Sequence, residues 1–396
     1  MKLLTPSAGT PVSFSDILRG CTSSFNQSIT AFESVIKAYT QKNYCYFTNS
    51  GTTAFYIILK ALKTVSKKTE VILPAYTAPS LILPIKKTGL KPVLCDISLK
   101  TFNMDVQSLE KCINKNTLCI VPVHMFGLPM NMEDVMQIAR QNSLIVVEDA
   151  ASSLGTTIHS RPTGVFGDIG FYSFNRGKNL STLSGGCIVT DWEEMASAIE
   201  TECALLAELG LVSKLKTTMK LIALALAVRP FFYTIFNDLI SKLKYTTLHT
   251  DFDSFVYTKF QAGVGCALFE HASKILNKRY DHGVFLLDVL AHLKGIKLPE
   301  LIPHAVPVFN QFPVLFKNET VKENCFEKIN SAGIESTKLY PDPIHRVYNL
   351  GYDPGKDPFP NATYFSRRLL LIPTHPMMNI EKLSLIVNII RNCLGG

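Results

Sequence analysis

The chain lacks any Cys-x-x-Cys pair: its ten cysteines (Cys21, Cys45, Cys95, Cys112, Cys119, Cys187, Cys203, Cys266, Cys325 and Cys393) are widely scattered. That removes the ligand spacing of a structural zinc site, so the thiols read as reduced, small core residues and no metal is expected. Charged residues are scarce, 18% against 47% hydrophobic, which excludes a disordered chain because apolar surface is abundant enough to offset the entropy of ordering it. No internal repeat, coiled coil or low-complexity tract is present. Nor does any helix-turn-helix, zinc-finger or RRM signature accompany the 40 basic residues, which outnumber the 32 acidic ones. The net charge of +8 therefore points away from nucleic acid and toward anionic partners: a phosphorylated cofactor, a nucleotide-bearing substrate or a membrane face. The opening residues Met1–Ser7 turn polar too soon for a secretory h-region, so a cytoplasmic protein is expected.

What is present is α/β patterning. At 396 residues the chain is long enough for two or so structural units in one enzyme-sized body. Apolar, β-branched runs at Tyr44–Thr48, Glu70–Leu73, Lys91–Cys95, Leu118–Val123 and Leu144–Glu148 alternate with helical stretches. Continuous hydrophobic strands separated by helices imply a mainly parallel sheet covered on both faces, with ligands beyond the carboxyl ends of the strands. Polar residues gather at those ends: Gly51, Tyr76 with Thr77, His124 and Asp149. The large domain is expected over residues 1–255. A long helix from Lys259 to Leu293 should open a smaller α+β unit, 256–396, with strands Val306–Phe316 and Gly333–Leu339, a helix Val321–Ser331 and a closing helix Ile380–Cys393.

Residues 205–250 interrupt this pattern. The run Met219–Val228, then Arg229-Pro230, then Phe231–Phe236 is shorter and more broken than the ~20 apolar residues of a spanning helix. Lys214, Lys216, Lys220, Lys242 and Lys244 flank it. The expectation is a lid or subunit contact near the substrate entrance that also has a weak, salt-sensitive affinity for an anionic membrane surface.

The chemistry centres on Lys178, at the end of Gly167–Gly177, and on Asp149, at the end of the strand Ser143–Glu148. An amine in a protein pocket can bond covalently to the aldehyde of pyridoxal phosphate, while a carboxylate at a buried strand end keeps its pyridine nitrogen protonated. Glu148 is the rival carboxylate, and strand alternation sends it to the opposite face from Asp149. Asn49-Ser50-Gly51-Thr52-Thr53-Ala54 joins a strand to a helix, where free N–H groups and hydroxyls suit a phosphate. Ordinary helix capping by Ser50 or Thr52 would use the same residues. Ser173, Asn175, Arg176 and Gly177 lie just before the lysine, and Ser184-Gly185-Gly186 permits close backbone approach at the start of another strand.

Taken in order, Asn49–Ala54, Leu73-Pro74-Ala75-Tyr76-Thr77, Lys91–Asp96, Val123–Gly127, Glu148–Ala151, Gly167–Lys178 and Ser184–Gly186 resemble the DegT/DnrJ/StrS family. Its members are fold-type I, aspartate-aminotransferase-like enzymes that use pyridoxal phosphate to aminate keto sugars carried on nucleotides. Tyr340–His345 and Leu371–Pro376 are similar to the family's small-domain motifs. The resemblance implies that Lys178 anchors the cofactor and shuttles the proton, that Asp149 faces the pyridine nitrogen, and that Gly51, Thr52, Thr53 and Ser173 hold phosphate. It implies a homodimer, an amino-acid donor such as glutamate and a nucleotide-sugar acceptor, with Tyr76, His124, Asn175, Arg176 and His345 as candidate substrate contacts. Three segments depart from the family pattern. Ala78-Pro79 stands where many members stack an aromatic ring on the cofactor, Ser152 stands where many have a Gln facing the cofactor hydroxyl, and Ser254 and Val256 replace an Asn and an Arg offered to the partner subunit. A sugar dehydratase of the same family is the nearest chemical alternative, but there the lysine is replaced by histidine, and Lys178 is retained. A non-catalytic, membrane-associated binding protein on the same fold is the alternative from another class.

Overall fold

The computed structural model describes residues 4–23, 28–227, 229–235, 250–353 and 355–395. Lys242, Lys244 and Phe236 of the interrupting segment lie outside them. A seven-stranded sheet forms the large domain from β1 (Tyr44–Thr48), β2 (Glu70–Pro74), β3 (Lys91–Cys95), β4 (Thr117–Ile120), β5 (Ile145–Asp149), β8 (Ile169–Ser173) and β9 (Gly186–Thr190). Two short strands, β6 (Thr157–Ile158) and β7 (Arg161–Pro162), leave the sheet between β5 and β8. The order is β1-β9-β8-β5-β4-β2-β3, parallel except for β9, which runs antiparallel to both neighbours. This is the expected α/β, mainly parallel arrangement. Strands β2, β8 and β9 are buried along their whole length, as the continuous apolar runs require when helices cover both faces.

The reversed strand matters for the site. Because β9 runs backward, its first residue, Gly186, sits at the same edge as the last residues of β1 and β8, opposite Thr48 and Ser173. Helix Gly51–Val65 starts at that edge, capped by the Ser50 hydroxyl, which accepts from the Thr53 N–H. It buries Ala54, Phe55, Ile58 and Leu62 against the sheet, Phe55 stacking on Phe171 at 5.4 Å between ring centres.

The smaller unit has a three-stranded antiparallel sheet, β10 (Ile296–Lys297), β12 (Phe312–Phe316) and β13 (Leu369–Ile372), backed by helices Glu319–Ser331 and Ile380–Cys393. Several expected boundaries change. The strand Val306–Phe316 is two pieces: β11 (Ala305–Val306) pairs with β6 of the large domain, and only β12 joins the small sheet. Pro307, which has no N–H to give a ladder, separates them. Gly333–Leu339 is irregular, with positive φ at both ends (83° and 49°), and bridges its neighbours only at Ile334 and Thr337, so the third strand is β13 instead. The helix from Lys259 breaks at His271, where the backbone leaves the helical region (φ −123°, ψ 17°).

Contacts cross the expected division at residue 255 in both directions. Helix Lys259–Glu270 packs on helices Phe14–Ser23 and Ser28–Thr40, close enough that a Cβ on Gly265 would meet the Phe32 ring at 2.5 Å. That packing ties it to the amino-terminal helices. The amino-terminal segment goes the other way, Thr5 pairing its N–H and carbonyl with Gly333 and Glu335 of the small unit.

Candidate active site

Two neighbouring acids at the end of β5 face opposite ways. Glu148 points into the protein and is fully buried. It accepts from His124 Nε2 at 2.7 Å and from the N–H groups of Gly164, Phe166 and Gly167. Burial alone would raise its pKa; the hydrogen bond from His124, with those from the Gly164 and Gly167 N–H groups, outweighs that and holds it below 4.5. Asp149 faces the other side, 4% exposed, with Oδ1 accepting from the Ala151 N–H at 2.9 Å. Burial raises its pKa, opposed by the charge of Lys178.

Lys178 is the complementary group. Its pKa is lowered by burial and pulled back up by Asp149, so the two sites titrate within each other's field. Its Nζ donates to Ser152 Oγ at 2.8 Å. Ser152, standing in for the family's glutamine, is thus the residue that receives the lysine amine.

The backbone around Lys178 is moored from three directions. The Lys178 N–H reaches the Asn175 carbonyl at 3.0 Å. Thr10 Oγ1 donates to the carbonyls of Lys178 and Asn179 at 3.3 and 3.2 Å. Asn310 Nδ2 donates to the Gly177 carbonyl at 2.7 Å and to Asn179 Oδ1 at 3.2 Å. Behind the last two moorings lies Arg279, fully buried, whose guanidinium donates to the Asn310 carbonyl at 3.0 Å and to the Gly9 carbonyl, next to Thr10, at 2.6 Å. Burial lowers the Arg279 pKa to about 10. One cation thus ties together both segments that hold the lysine loop. No sequence signal marks it: Arg279 falls within the long helical stretch expected from Lys259 to Leu293.

A cradle for an anion lies beside this loop. At the first turn of helix Gly51–Val65 the Gly51 and Thr52 N–H groups have no intrahelical acceptor. A Cβ on Gly51 would lie 3.0 Å from Ser173 Cβ, and one on Gly186 would lie 2.3 Å from the Ser50 carbonyl oxygen. Only glycine lets these three chain segments close around one point. Thr53 differs from its expected role: its N–H goes to Ser50 Oγ and its hydroxyl to the Asp253 carbonyl at 3.2 Å. These bonds tie the first helical turn to the Asp253 segment. Asn49 Nδ2 also holds the Asp253 carbonyl, at 2.9 Å, so the returning limb of the 205–250 segment rests on the cradle rim.

The expected substrate contacts separate. Asn175 and Arg176 are exposed at the rim, next to Lys178. His124 is withdrawn, since its Nε2 serves Glu148 and its Nδ1 accepts from the Met130 N–H at 2.9 Å. Tyr76 is 2% exposed, its ring edge-on to Phe365 at 4.9 Å and 6.0 Å from Tyr340. His345 packs on Phe359 and lies 3.4 Å from Asp357 with only 5% of its side chain exposed. Its segment fixes the small domain instead, through the Ile344 N–H to the Ala75 carbonyl at 2.9 Å. Tyr340 from the same segment is close enough to Asp149 for the carboxylate charge to help burial raise its pKa. It brings an aromatic ring to a site where Ala78 supplies none. Among the described residues no cluster of metal-ligating side chains occurs.

The DegT/DnrJ/EryC1/StrS aminotransferase family matches residues 13–391. The chain is 28% identical to the UDP-N-acetyl-3-dehydro-alpha-D-glucosamine 3-aminotransferase of Acidithiobacillus ferrooxidans, over 88% of this chain and 83% of that protein. It is 26% identical to the dTDP-3-amino-3,4,6-trideoxy-alpha-D-glucose transaminase of Streptomyces venezuelae, over 91% of this chain and 85% of the other. Among solved structures, S. venezuelae DesV is similar at a TM-score of 0.76 and 25% identity, covering 96% of this chain and 94% of that one.

Proposed function

The chain belongs to the DegT/DnrJ/EryC1/StrS aminotransferase family, and from that premise we propose that it moves an amino group from an amino acid such as glutamate to a keto sugar carried on a nucleotide. Pyridoxal phosphate would, when bound, supply an aldehyde and an electron-withdrawing ring that eases proton removal from the amino-bearing carbon. The residues fit it. The Gly51 and Thr52 N–H groups and the Ser173 hydroxyl would bind the phosphate, Asp149 would hold the proton on the ring nitrogen, and Lys178 Nζ would anchor the group and then take and return the proton. The observation that carries the reading is Lys178 itself: an amine with a burial-lowered pKa, on Ser152, within the field of Asp149 and next to a glycine-shaped cradle.

The nucleotide-sugar acceptor is supported by the relatives, whose names specify amino sugars linked to UDP and dTDP, and by exposed Arg176 at the rim. A homodimer is supported by two buried polar atoms without partners at that rim, Asn49 Oδ1 and Ser254 Oγ, which a second copy would satisfy. A cytoplasmic enzyme fits ten free thiols. Borohydride reduction of the cofactor-loaded protein followed by peptide mapping is the direct test. Label on Lys178 is expected; label on a different lysine, or on none, overturns the reading. Adding amino acids one at a time while following visible absorption identifies the donor, and two separable half-reactions are expected.

A further inference from the structure

Helix Leu211–Ala227 turns one apolar face inward and another outward. Leu221 and Ala225 are buried on the large domain. Leu211, Val212, Leu215, Met219 and Leu226 are 85%, 67%, 64%, 58% and 45% exposed. At about 100° per residue these five fall within an arc of roughly 100° on the helix surface. The exposed Phe231 follows in the next short helix, Pro230–Ile235. Scattered exposed apolar side chains are ordinary, but a continuous stripe is not.

We propose that this face docks on the surface of an anionic phospholipid bilayer, apolar side chains entering the headgroup boundary while lysines at its border meet lipid phosphate. The charge pattern selects the partner. Lys216 and Lys220 are exposed and follow the arc on one side; Lys214, paired with Glu208, borders it on the other. Their long stems can lie along the apolar surface with the ammonium at headgroup level. No Asp or Glu occurs anywhere in residues 209–235. A second copy packed face to face through this helix would therefore bring lysines toward lysines, the one carboxylate at the border, Glu208, being already paired with Lys214. The face is distinct from the groups around Lys178, and the helix does not cross the bilayer: no helix among the described residues is long and apolar enough. Docking would place an enzyme of nucleotide-linked sugars against the membrane without adding anything to its chemistry.

The test uses the full-length, cofactor-loaded protein and flotation with vesicles of phosphatidylcholine alone or with phosphatidylserine. Wild type is expected to float with the anionic vesicles at low salt, not with neutral ones, and to be released at about 0.5 M salt, where the screening length is only a few ångströms. Leu215→Ser with Met219→Ser should abolish flotation. Lys216→Gln with Lys220→Gln should weaken it about fivefold per lysine. Transamination and the oligomeric state should be unchanged in both variants, since all four side chains are exposed. Failure of wild type to float at low salt overturns the proposal. So does a Leu215→Ser, Met219→Ser protein that floats normally but changes its oligomeric state, because the stripe would then belong to a second copy.

Discussion

Replacing Arg279 by Met tests how the lysine loop is held. The guanidinium is fully buried and makes two bonds to carbonyls, Asn310 at 3.0 Å and Gly9 at 2.6 Å. Hydrogen bonds from a charged donor contribute about 1.5–3 kcal/mol each, so their loss costs about 3–6 kcal/mol. Against this, burial lowers the Arg279 pKa to about 10 from 12.5. That shift corresponds to roughly 3 kcal/mol of desolvation that an uncharged side chain avoids. The net stability loss should therefore be small, about 0–3 kcal/mol. The loss of catalysis should be larger in proportion. Gly9-Thr10 and Asn310 together hold the carbonyls of Gly177, Lys178 and Asn179, and a displacement near 1 Å at a reacting group costs roughly a hundredfold. In single-turnover absorbance measurements with the amino donor, Arg279→Met should slow the reaction about 10–100-fold with donor affinity little changed. Arg279→Lys, which can still reach one carbonyl, should recover part of the rate. Urea unfolding gives the stability arm. A Met variant that unfolds more easily but reacts at the wild-type rate would show that Arg279 is only a packing residue.

Asp149→Asn should keep the cofactor but lose transamination by orders of magnitude, since an amide cannot hold the ring proton; near-normal turnover would assign that role elsewhere. Glu148 gives a pH effect of definite sign. Its folded pKa lies below 4.5, so its contribution to stability is complete above that pH and is lost as pH falls through the folded value. Urea midpoints measured from neutral to acid pH should show this decline in wild type, and Glu148→Gln should be less stable at neutral pH with a flatter acid limb. Equal slopes in the two proteins would refute the assignment.

The strands and the chemistry-bearing ends were legible because they rest on local pattern. Apolar runs locate β1, β3 and the edge where Gly51, Asp149 and Lys178 meet, and alternation along β5 correctly separates Asp149 from Glu148. The helix Ile380–Cys393 is likewise read from its own periodicity. What was not legible depends on partners distant in sequence. His124 at a strand end looks like a ligand group until Glu148 and the Met130 N–H occupy both ring nitrogens. The resemblance offers Thr53 as a phosphate ligand, and the bond from its hydroxyl to the Asp253 carbonyl, 200 residues away, has no local signal. Pairing also decides β13, whose four apolar residues become a strand only through β12.

Partners distant in sequence also divide the two faces of β5 between different tasks. On one side of β5, Glu148 gathers His124 and three backbone N–H groups into a fully satisfied buried network. On the other, Asp149 and Lys178 have few partners, Ala151 N–H and Ser152 Oγ respectively, and burial shifts both toward their neutral forms. The satisfied network can hold the strand because it spends no group on a ligand; the sparse pair can react because it has groups to spare. Two adjacent residues on one strand are enough for both tasks because alternation puts them on opposite faces. The same logic separates Arg279 from Lys178. The buried arginine has its guanidinium committed to carbonyls, whereas the lysine amine, held by a single hydroxyl, remains available to exchange that contact for a cofactor.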